Sequence, residues 1–282
     1  MENKEKMGIK RIKIFIAYFF LIIASFLAVF PFIWMVLLSL MGQNQIFSLP
    51  PSIIPNPFVF TNYINIFKNI PIAIYFFNSL IVAIFTCLGQ VLFSAMAAYA
   101  FARLNFRFRE PLFFIFLATI MIPPQVNIVP LFFLMKQFGW IDSYFALIIP
   151  GFFGGFGVFL LRQWFKGMPK DLEDAAKLDG CNYFDIFFKI AIPLAMPAII
   201  TLALFTFISS WNSFMWPLIV TNSENMRTLP VGLAVFKGSF RETTEWGQLM
   251  SCAVISTIPA IGLFLAGQKF FIKGIMAGGI KE

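Results

Sequence analysis

Residues 166–193 read KGMPKDLEDAAKLDGCNYFDIFFKIAIP, the longest segment of the chain that mixes charged and apolar residues. Pro169 suits the first turn of a helix, where a missing N–H has no consequence. Carboxylates suit the same end of a helix dipole, and three follow: Asp171, Glu173 and Asp174. Gly180 predicts the end of that helix, and Asn182 predicts the N-cap of a second helix over residues 183–190. The stretch therefore predicts two short helices joined by a glycine.

One face of the first predicted helix carries small side chains. Four residues share this face by their spacing: Leu172, Ala175, Ala176 and Asp179. Because alanine side chains are small, the surface of a partner can come close to the helix here. An ordinary solvated loop between two membrane spans has the same features, and the residues alone leave both interpretations open.

The composition predicts a membrane protein. Of the 282 residues, 60% are apolar and 12% are charged, whereas soluble domains average about 45–50% and about 25%. Six charge-free runs can each hold a spanning helix, which needs roughly 20 apolar residues: 14–67, 69–102, 111–135, 143–161, 190–223 and 246–268. We therefore predict an all-α polytopic membrane protein, a single domain over residues 1–282. Its six transmembrane helices are expected at about 14–40, 74–101, 111–134, 144–165, 191–219 and 249–271.

The distribution of Lys and Arg predicts the orientation, because cytoplasmic loops carry an excess of these residues. If the N-terminus is cytoplasmic, all but five of the 21 Lys and Arg residues fall on the cytoplasmic side. The five exceptions are Lys68, Lys136, Arg227, Lys237 and Arg241. We expect both termini and residues 166–190 to be cytoplasmic. The net charge of +8 then reflects topology and contact with anionic lipid headgroups, and not nucleic-acid binding.

The residues also argue against several kinds of site. The chain has no histidine and three cysteines, so we expect no metal site and no disulfide framework. It has no GxxxxGK[ST] run, so we expect no ATP binding by this chain. An ion-coupled secondary transporter needs titratable groups at the membrane midplane, yet the six windows hold no charge. An intramembrane enzyme needs a nucleophile paired with a base, and we predict no catalytic residue.

Three features modify the predicted spans and loops. Pro123 and Pro124 predict a break near the middle of the third span. Gly151 and Gly155 form a GxxxG pair in the fourth span, the pattern of closely packed transmembrane helices. Residues 60–67, in the first external segment, predict a short interfacial helix.

Residues 174–193 resemble the EAA signature, E-A-A-x3-G-x9-I-x-L-P, of permease subunits of ATP-binding-cassette importers. The matching residues are Asp174, Ala175, Ala176, Gly180, Ile190, Ile192 and Pro193. Asp174 stands where the signature has Glu and Ile192 where it has Leu, which keeps the charge and the apolar character. In that family this loop is the coupling helix, which sits in a cleft of the cytoplasmic ATPase. The resemblance implies that residues 166–190, hereafter the EAA segment, contact an ATPase through Glu173, Asp174, Ala175, Ala176, Asp179 and Gly180.

The resemblance extends along almost the whole chain. Further runs are similar to the carbohydrate branch, and more narrowly to the second permease of the maltose and glycerol-3-phosphate type: 78–80, 98–103, 121–123, 161–163, 211–212, 216–219, 228–233 and 268–271. This implies the type I permease fold in a bacterial or archaeal cell membrane, with a sugar or oligosaccharide as solute. Glycerol-phosphate esters or another solute are the alternative.

The resemblance also implies partners. They are a homologous second permease, two cytoplasmic ATP-binding-cassette ATPase subunits and an extracytoplasmic solute-binding protein. ATP and magnesium would bind to the ATPase subunits, and no cofactor is expected on this chain. The spans would alternate between outward and inward access as the ATPases work.

Polar and aromatic residues near the predicted outer half of the spans are candidates for the solute path. One group lines either the solute path or, as an aromatic belt, the membrane interface: Trp211, Asn212 and Trp216. Gln125 and Asn127 lie beside the proline pair, where they could instead satisfy the broken helix. For Asn78 the expectation favours a hydrogen bond between helices over contact with a solute.

Overall fold

The computed structural model describes residues 2–239 and 245–279, and every regular element within them is helical. This confirms the all-α prediction. The helices in the first part of the chain are α1 Glu2–Ser39, α2 Gln43–Ile46, α3 Thr61–Asn69, α4 Ile72–Arg103, α5 Arg109–Met121, α6 Ile128–Gln137, α7 Tyr144–Ile148 and α8 Gly155–Gly167. They continue with α9 Lys170–Leu178, α10 Tyr183–Ile186, α11 Ile192–Leu194, α12 Met196–Trp211, α13 Met215–Val220, α14 Leu229–Ser239 and α15 Trp246–Gly279. Arg241, one of the five Lys and Arg residues expected outside the cytoplasm, lies outside the described residues.

Within the described residues, four helical stretches are long and apolar enough to cross a membrane: Arg11–Ser39, Ile72–Arg103, Tyr144–Gly167 and Trp246–Lys269. Two pairs of shorter helices meet the same test but bend sharply between their members: Arg109–Met121 with Pro124–Gln137, and Tyr183–Leu194 with Met196–Trp211. Counting each bent pair as one span gives the six spans that the sequence predicts.

Proline explains both bends, because it lacks an N–H and its ring clashes with the preceding helical turn. The third span turns by 95° around a 3₁₀ turn, Pro124–Asn127, as the proline pair predicts. The fifth span turns by 76° near Ala195, between Pro193 and Pro197. The sequence prediction placed a continuous span here, and the second break is a finding of the structure.

The fourth span is also interrupted, which changes the meaning of its glycine pair. A 3₁₀ turn, Ile149–Phe152, separates α7 from α8, so Gly151 and Gly155 do not share one helical face. A Cβ on Gly151 would lie 2.4 Å from Thr86 Cγ2 on α4, and one on Gly155 would lie 2.8 Å from the carbonyl oxygen of Phe116 on α5. The small residues permit close contact as predicted, but with two different helices.

Contacts divide the chain into two compact units. The first comprises residues 1–70 and 236–255. Within it the Asn62 amide donates to the carbonyls of Ser39 and Met41, each at 2.9 Å. Asn62 lies on α3, which confirms the short helix predicted over residues 60–67.

The second unit comprises residues 71–235 and 256–282, and α4 is its centre. This helix packs against α7, α8 and α12. Its buried face is rich in small residues, Ala83, Ser94, Ala95 and Ala98 among them. Because lipid tails are as apolar as leucine, membrane helices associate through close packing, which small residues permit. The single-domain prediction stays a prediction.

Candidate functional site

The EAA segment begins with the first helix that its residues predict, α9. The second helix, predicted over residues 183–190, is α10 followed directly by a π-helical turn, Phe187–Ala191. Pro169 precedes α9 at its N-terminus, and Gly180 follows that helix with a φ of +84°. The side chain of Asn182 accepts the N–H of Asp185 at 2.9 Å and so caps α10. A φ in this region suits glycine because it has no Cβ.

The two sides of α9 have different surroundings. Glu173 and Ala176 are buried within this chain. Asp174 and Ala175 are exposed, and Leu178 is 90% exposed. The exposed side also includes Leu172, Asp179 and Gly180.

An ion pair fastens the buried side of α9 to the end of α4. Arg103 Nε lies 3.1 Å from Glu173 Oε1, and their side chains are 5% and 9% exposed. The Arg103 guanidinium also donates to the carbonyl of Met168, just before α9. A buried charge is tolerated when it is paired and hydrogen-bonded, so this arrangement holds α9 in a defined position on α4.

Ala176 belongs to the apolar core of the second unit. The core cluster includes Tyr99, Phe165 and Phe187, with the rings of Tyr99 and Phe165 edge to face at a centroid distance of 5.6 Å. The sequence placed Ala175 and Ala176 on one face that meets a partner. The structure separates them: Ala176 packs against its own chain, because α9 rests on α4 through that side, and Ala175 points outward.

A second arginine ties three spans together beside the EAA segment. Arg162 on α8 is 3% exposed and donates to the carbonyl of Phe101 at 3.1 Å. It pairs with Glu110 at 2.7 Å, and its guanidinium carbon lies 3.7 Å from the centroid of the Phe113 ring. The spans that contain α4, α5 and α8 therefore share one charged contact at this end.

Asn78 forms hydrogen bonds between elements of the chain, which is the role that the sequence favours over contact with a solute. Its amide donates to the carbonyls of Asn225 and Arg227 at 2.7 and 2.9 Å. Its oxygen accepts the hydroxyl of Tyr144 at 2.6 Å. The amide is fully engaged in linking α4 to the segment before α14 and to α7.

Trp211 is 2% exposed, and its indole N–H donates to the carbonyl of Ser256 at 2.9 Å. Its ring stacks on that of Phe207 with 7° between the planes. Trp211 and the exposed Asn212 line a cavity of about 420 Å³, whose other walls are mostly apolar: Phe214, Leu229, Pro230, Leu233, Ala234 and Ser256.

Trp216 and Gln125 line a different cavity, of about 420 Å³. It shares wall residues with a cavity of about 190 Å³ that reaches α4. The shared residues are Pro150, Gly151, Ser209, Ser213 and Trp216. The indole N–H of Trp216 donates to the carbonyl of Ala146 at 2.9 Å, which fixes the ring. Asn127 is exposed and lines neither cavity.

Several polar residues of these two cavities escaped the sequence prediction: Thr86, Gln90, Ser209, Ser210 and Ser213. Two signals were available. Thr86 and Gln90 are four residues apart and so share a helical face, and the three serines interrupt an apolar span within five positions. We call the joined walls the hydroxyl cavity, defined by Thr86, Gln90, Gln125, Ser209, Ser213 and Trp216.

Comparison with known proteins identifies the architecture. The family model of the binding-protein-dependent transport system inner membrane component matches residues 90–276. The chain belongs to this family. The resemblance to importer permeases drawn from the EAA signature is thereby confirmed, and this permease is a multi-pass membrane component of a transport system.

Relatives of this permease align along nearly its whole length. The arabinooligosaccharides transport system permease protein of Bacillus subtilis is 37% identical over 93% of this chain and 94% of its own. The trehalose/maltose transport system permease protein of Thermococcus litoralis is 34% identical over 92% and 94%. A chain in the crystal structure of a bacterial ABC transporter involved in the import of the acidic polysaccharide alginate superposes with a TM-score of 0.82. It is 25% identical and covers 93% of this permease and 97% of that chain.

Proposed function

We propose that this chain is one permease of an ATP-driven importer for a sugar or oligosaccharide. The observation that carries the proposal is the seating of α9, which exposes Asp174, Ala175 and Leu178 while the Arg103–Glu173 pair holds its other side. The exposed face of this short helix can contact a partner subunit, and its buried face can transmit the movement of that partner to the spans. Relatives named for arabino-oligosaccharides and for trehalose and maltose support the class of solute.

In this proposal two ATPase subunits, each binding ATP with magnesium, close and open against the exposed face of the EAA segment. The movement passes from α9 through Arg103 to α4, and from α4 to α8 and α12, its main packing partners. Helices packed this closely move as rigid bodies. The spans thereby alternate between outward and inward access.

The orientation and the remaining partners belong to the same proposal. The excess of Lys and Arg on one side supports a cytoplasmic location for the EAA segment and both termini. A homologous second permease would complete the path through the membrane. A solute-binding protein would deliver the solute from outside, in keeping with the family's description as binding-protein-dependent.

Ala175→Trp tests the proposal in the complete complex reconstituted in liposomes. Ala175 is exposed, so the variant should assemble its spans normally and lose most of the ATPase stimulation by loaded binding protein. The orientation is tested separately with Lys177→Cys in sealed vesicles. Labelling of this cysteine from the extracytoplasmic side would show that the predicted orientation is wrong. Full stimulation by the Ala175→Trp complex would show that this face does not contact the ATPase.

A second candidate solute is a glycerol-phosphate ester. The sn-glycerol-3-phosphate transport system permease protein of Yersinia enterocolitica is 29% identical over 91% of this chain and 93% of its own. Uptake of labelled glycerol 3-phosphate and of neutral sugars by the same vesicles separates the two candidates.

A further inference from the structure

The hydroxyl cavity brings polar side chains from separate spans to two cavities that have part of their wall in common. Thr86 and Gln90 come from α4, and Ser209 and Ser213 come from the end of α12 and the turn after it. Gln125 comes from the break in the third span. Gly151 lets the turn Ile149–Phe152 approach α4 closely at this point, because any Cβ there would lie 2.4 Å from Thr86 Cγ2.

The hydroxyl of Thr86 makes no hydrogen bond with the described part of the chain, although the residue is only 6% exposed. Buried polar atoms are nearly always paired, and the bilayer core offers no water. Gln90 and Ser213 are partly exposed and Ser209 is exposed, so their polar groups can also be reached from the cavities that they line. These groups are therefore available to a ligand.

The wall is uncharged. No Asp, Glu, Lys or Arg lies among the residues that line either joined cavity. An anion placed against this wall would lose its hydration without gaining a cation, which is costly. Hydroxyl and amide groups, in contrast, both donate and accept, as the hydroxyls of a polyol do. The Trp216 ring adds an aromatic surface of fixed position, suited to the apolar face of a sugar ring.

We infer that the hydroxyl cavity binds an uncharged, hydroxyl-rich solute during its passage, with Thr86, Gln90, Ser209 and Ser213 as hydrogen-bonding groups. This rests on the proposed function and narrows it: the wall of this permease selects neutral sugars over phosphate esters. The inference also excludes Asn78 and Trp211 as hydrogen-bonding partners of the solute, because their polar groups already donate to carbonyls of the chain.

The test compares Thr86→Val and Ser213→Ala with Ser94→Ala in the reconstituted complex. Ser94 is the matched control, since it lies on α4, is 1% exposed and has an unpaired hydroxyl, but does not line the cavity. The probes are arabinotriose, maltose, trehalose, lactose and sn-glycerol 3-phosphate, each with saturating binding protein. Loss of one hydrogen bond to the solute should lower uptake of a neutral probe by about 5- to 30-fold in each cavity variant.

Ser94→Ala should transport like the unmodified complex, and all three variants should assemble and melt like it. Thr86→Val keeps the shape of the side chain and removes a hydroxyl that has no hydrogen-bonding partner in the described part of the chain, so reduced uptake cannot reflect misfolding if melting is unchanged. Equal uptake by all variants, or uptake of glycerol 3-phosphate alone, would overturn the inference and leave the permease function standing. No uptake of any of the five probes by the unmodified complex would overturn the proposed function as well.

Discussion

The EAA segment and the hydroxyl cavity differ in what surrounds their buried polar groups. Next to the EAA segment Arg103 forms an ion pair with Glu173 and donates to a carbonyl, although Arg103 Nε and Glu173 Oε1 themselves make no hydrogen bond within the described part of the chain. Arg162 likewise pairs with Glu110 and donates to a second carbonyl. In the hydroxyl cavity the buried Thr86 hydroxyl has no partner among the described residues.

The difference follows from what each region is proposed to do. Ion pairs that are also hydrogen-bonded to backbone carbonyls restrict the side chains that form them, which suits a part that transmits movement. A site that must bind and release a solute needs polar groups whose partners come from outside. The most informative experiments therefore remove one contact of a buried or constrained residue. Each is compared with a similar substitution at a residue that lacks this contact.

The largest expected effect comes from breaking the buried ion pair. Glu173→Leu leaves Arg103 buried without its counter-charge, which typically costs about 3–5 kcal/mol. Arg103→Met with Glu173→Leu removes both charges and should recover much of that loss. Lys177→Ala is the control: the Lys177–Asp174 pair is exposed, and such pairs contribute about 0–1 kcal/mol. Thermal unfolding of the four complexes measures these differences, and equal melting of the single and double variants would contradict the assignment of Arg103 to this pair.

Tryptophan substitution at the two neighbouring alanines separates packing from docking. Ala176→Trp overfills the core near Phe165 and Phe187, where overpacking costs about 1–3 kcal/mol. Ala175→Trp adds the same volume on the exposed face and should leave the melting temperature unchanged while reducing ATPase stimulation. Melting curves and ATPase assays on both complexes measure this, and a stable Ala176→Trp complex would show that α9 is not seated on its own chain as described.

Glycine substitution tests whether the turn of the EAA segment is held in a fixed conformation. Gly180→Ala places a Cβ on a residue with a φ of +84°, at a cost of about 1–2 kcal/mol. Gly167→Ala is the matched control because that glycine lies in α8, has no positive φ and has open space around its Cβ position. Only the first variant should lower the melting temperature, and equal melting of the two would mean that the turn adapts freely.

The smallest expected effect on stability comes from Asp142, which lies outside the spans and is hydrogen-bonded to the backbone. Its carboxylate accepts the N–H groups of Asn222 and Ser223 at 2.8 and 3.0 Å. Burial acts to raise the pKa of Asp142, but these N–H donors outweigh it and lower the pKa below its ordinary value of 3.8. The stabilisation is therefore present above that value and is lost as pH falls through the lower folded pKa.

Asp142→Asn should reduce stability at neutral pH by up to about 1 kcal/mol, since solvent screens this partly exposed group. Its melting temperature should also fall less steeply than that of the unmodified complex between neutral and strongly acidic pH. Parallel acid-induced melting of the two complexes supplies the comparison, and identical pH profiles would mean that Asp142 does not contribute.

Local chemistry explains the success of the sequence prediction at particular residues. Pro169, Gly180 and Asn182 act through their own backbone or through neighbours within four positions, so the ends of α9 and α10 were predictable. Pro123 and Pro124 broke the third span for the same reason. The break at Ala195 was missed because a proline close to the start of a helix, as Pro193 and Pro197 both are, is compatible with a helix that continues after it.

The sequence by itself determined the all-α class, the apolar spans and the starts of the two helices of the EAA segment, because hydropathy, charge and backbone geometry act over a few residues. Only the tertiary structure decided which side of α9 is buried, that Arg103 meets Glu173 seventy positions later, and that Thr86 and Ser213 line one cavity. Those relations depend on which spans pack together. Nearly uniform apolar helices carry little information about that choice, since close packing of small residues is possible on several of their faces.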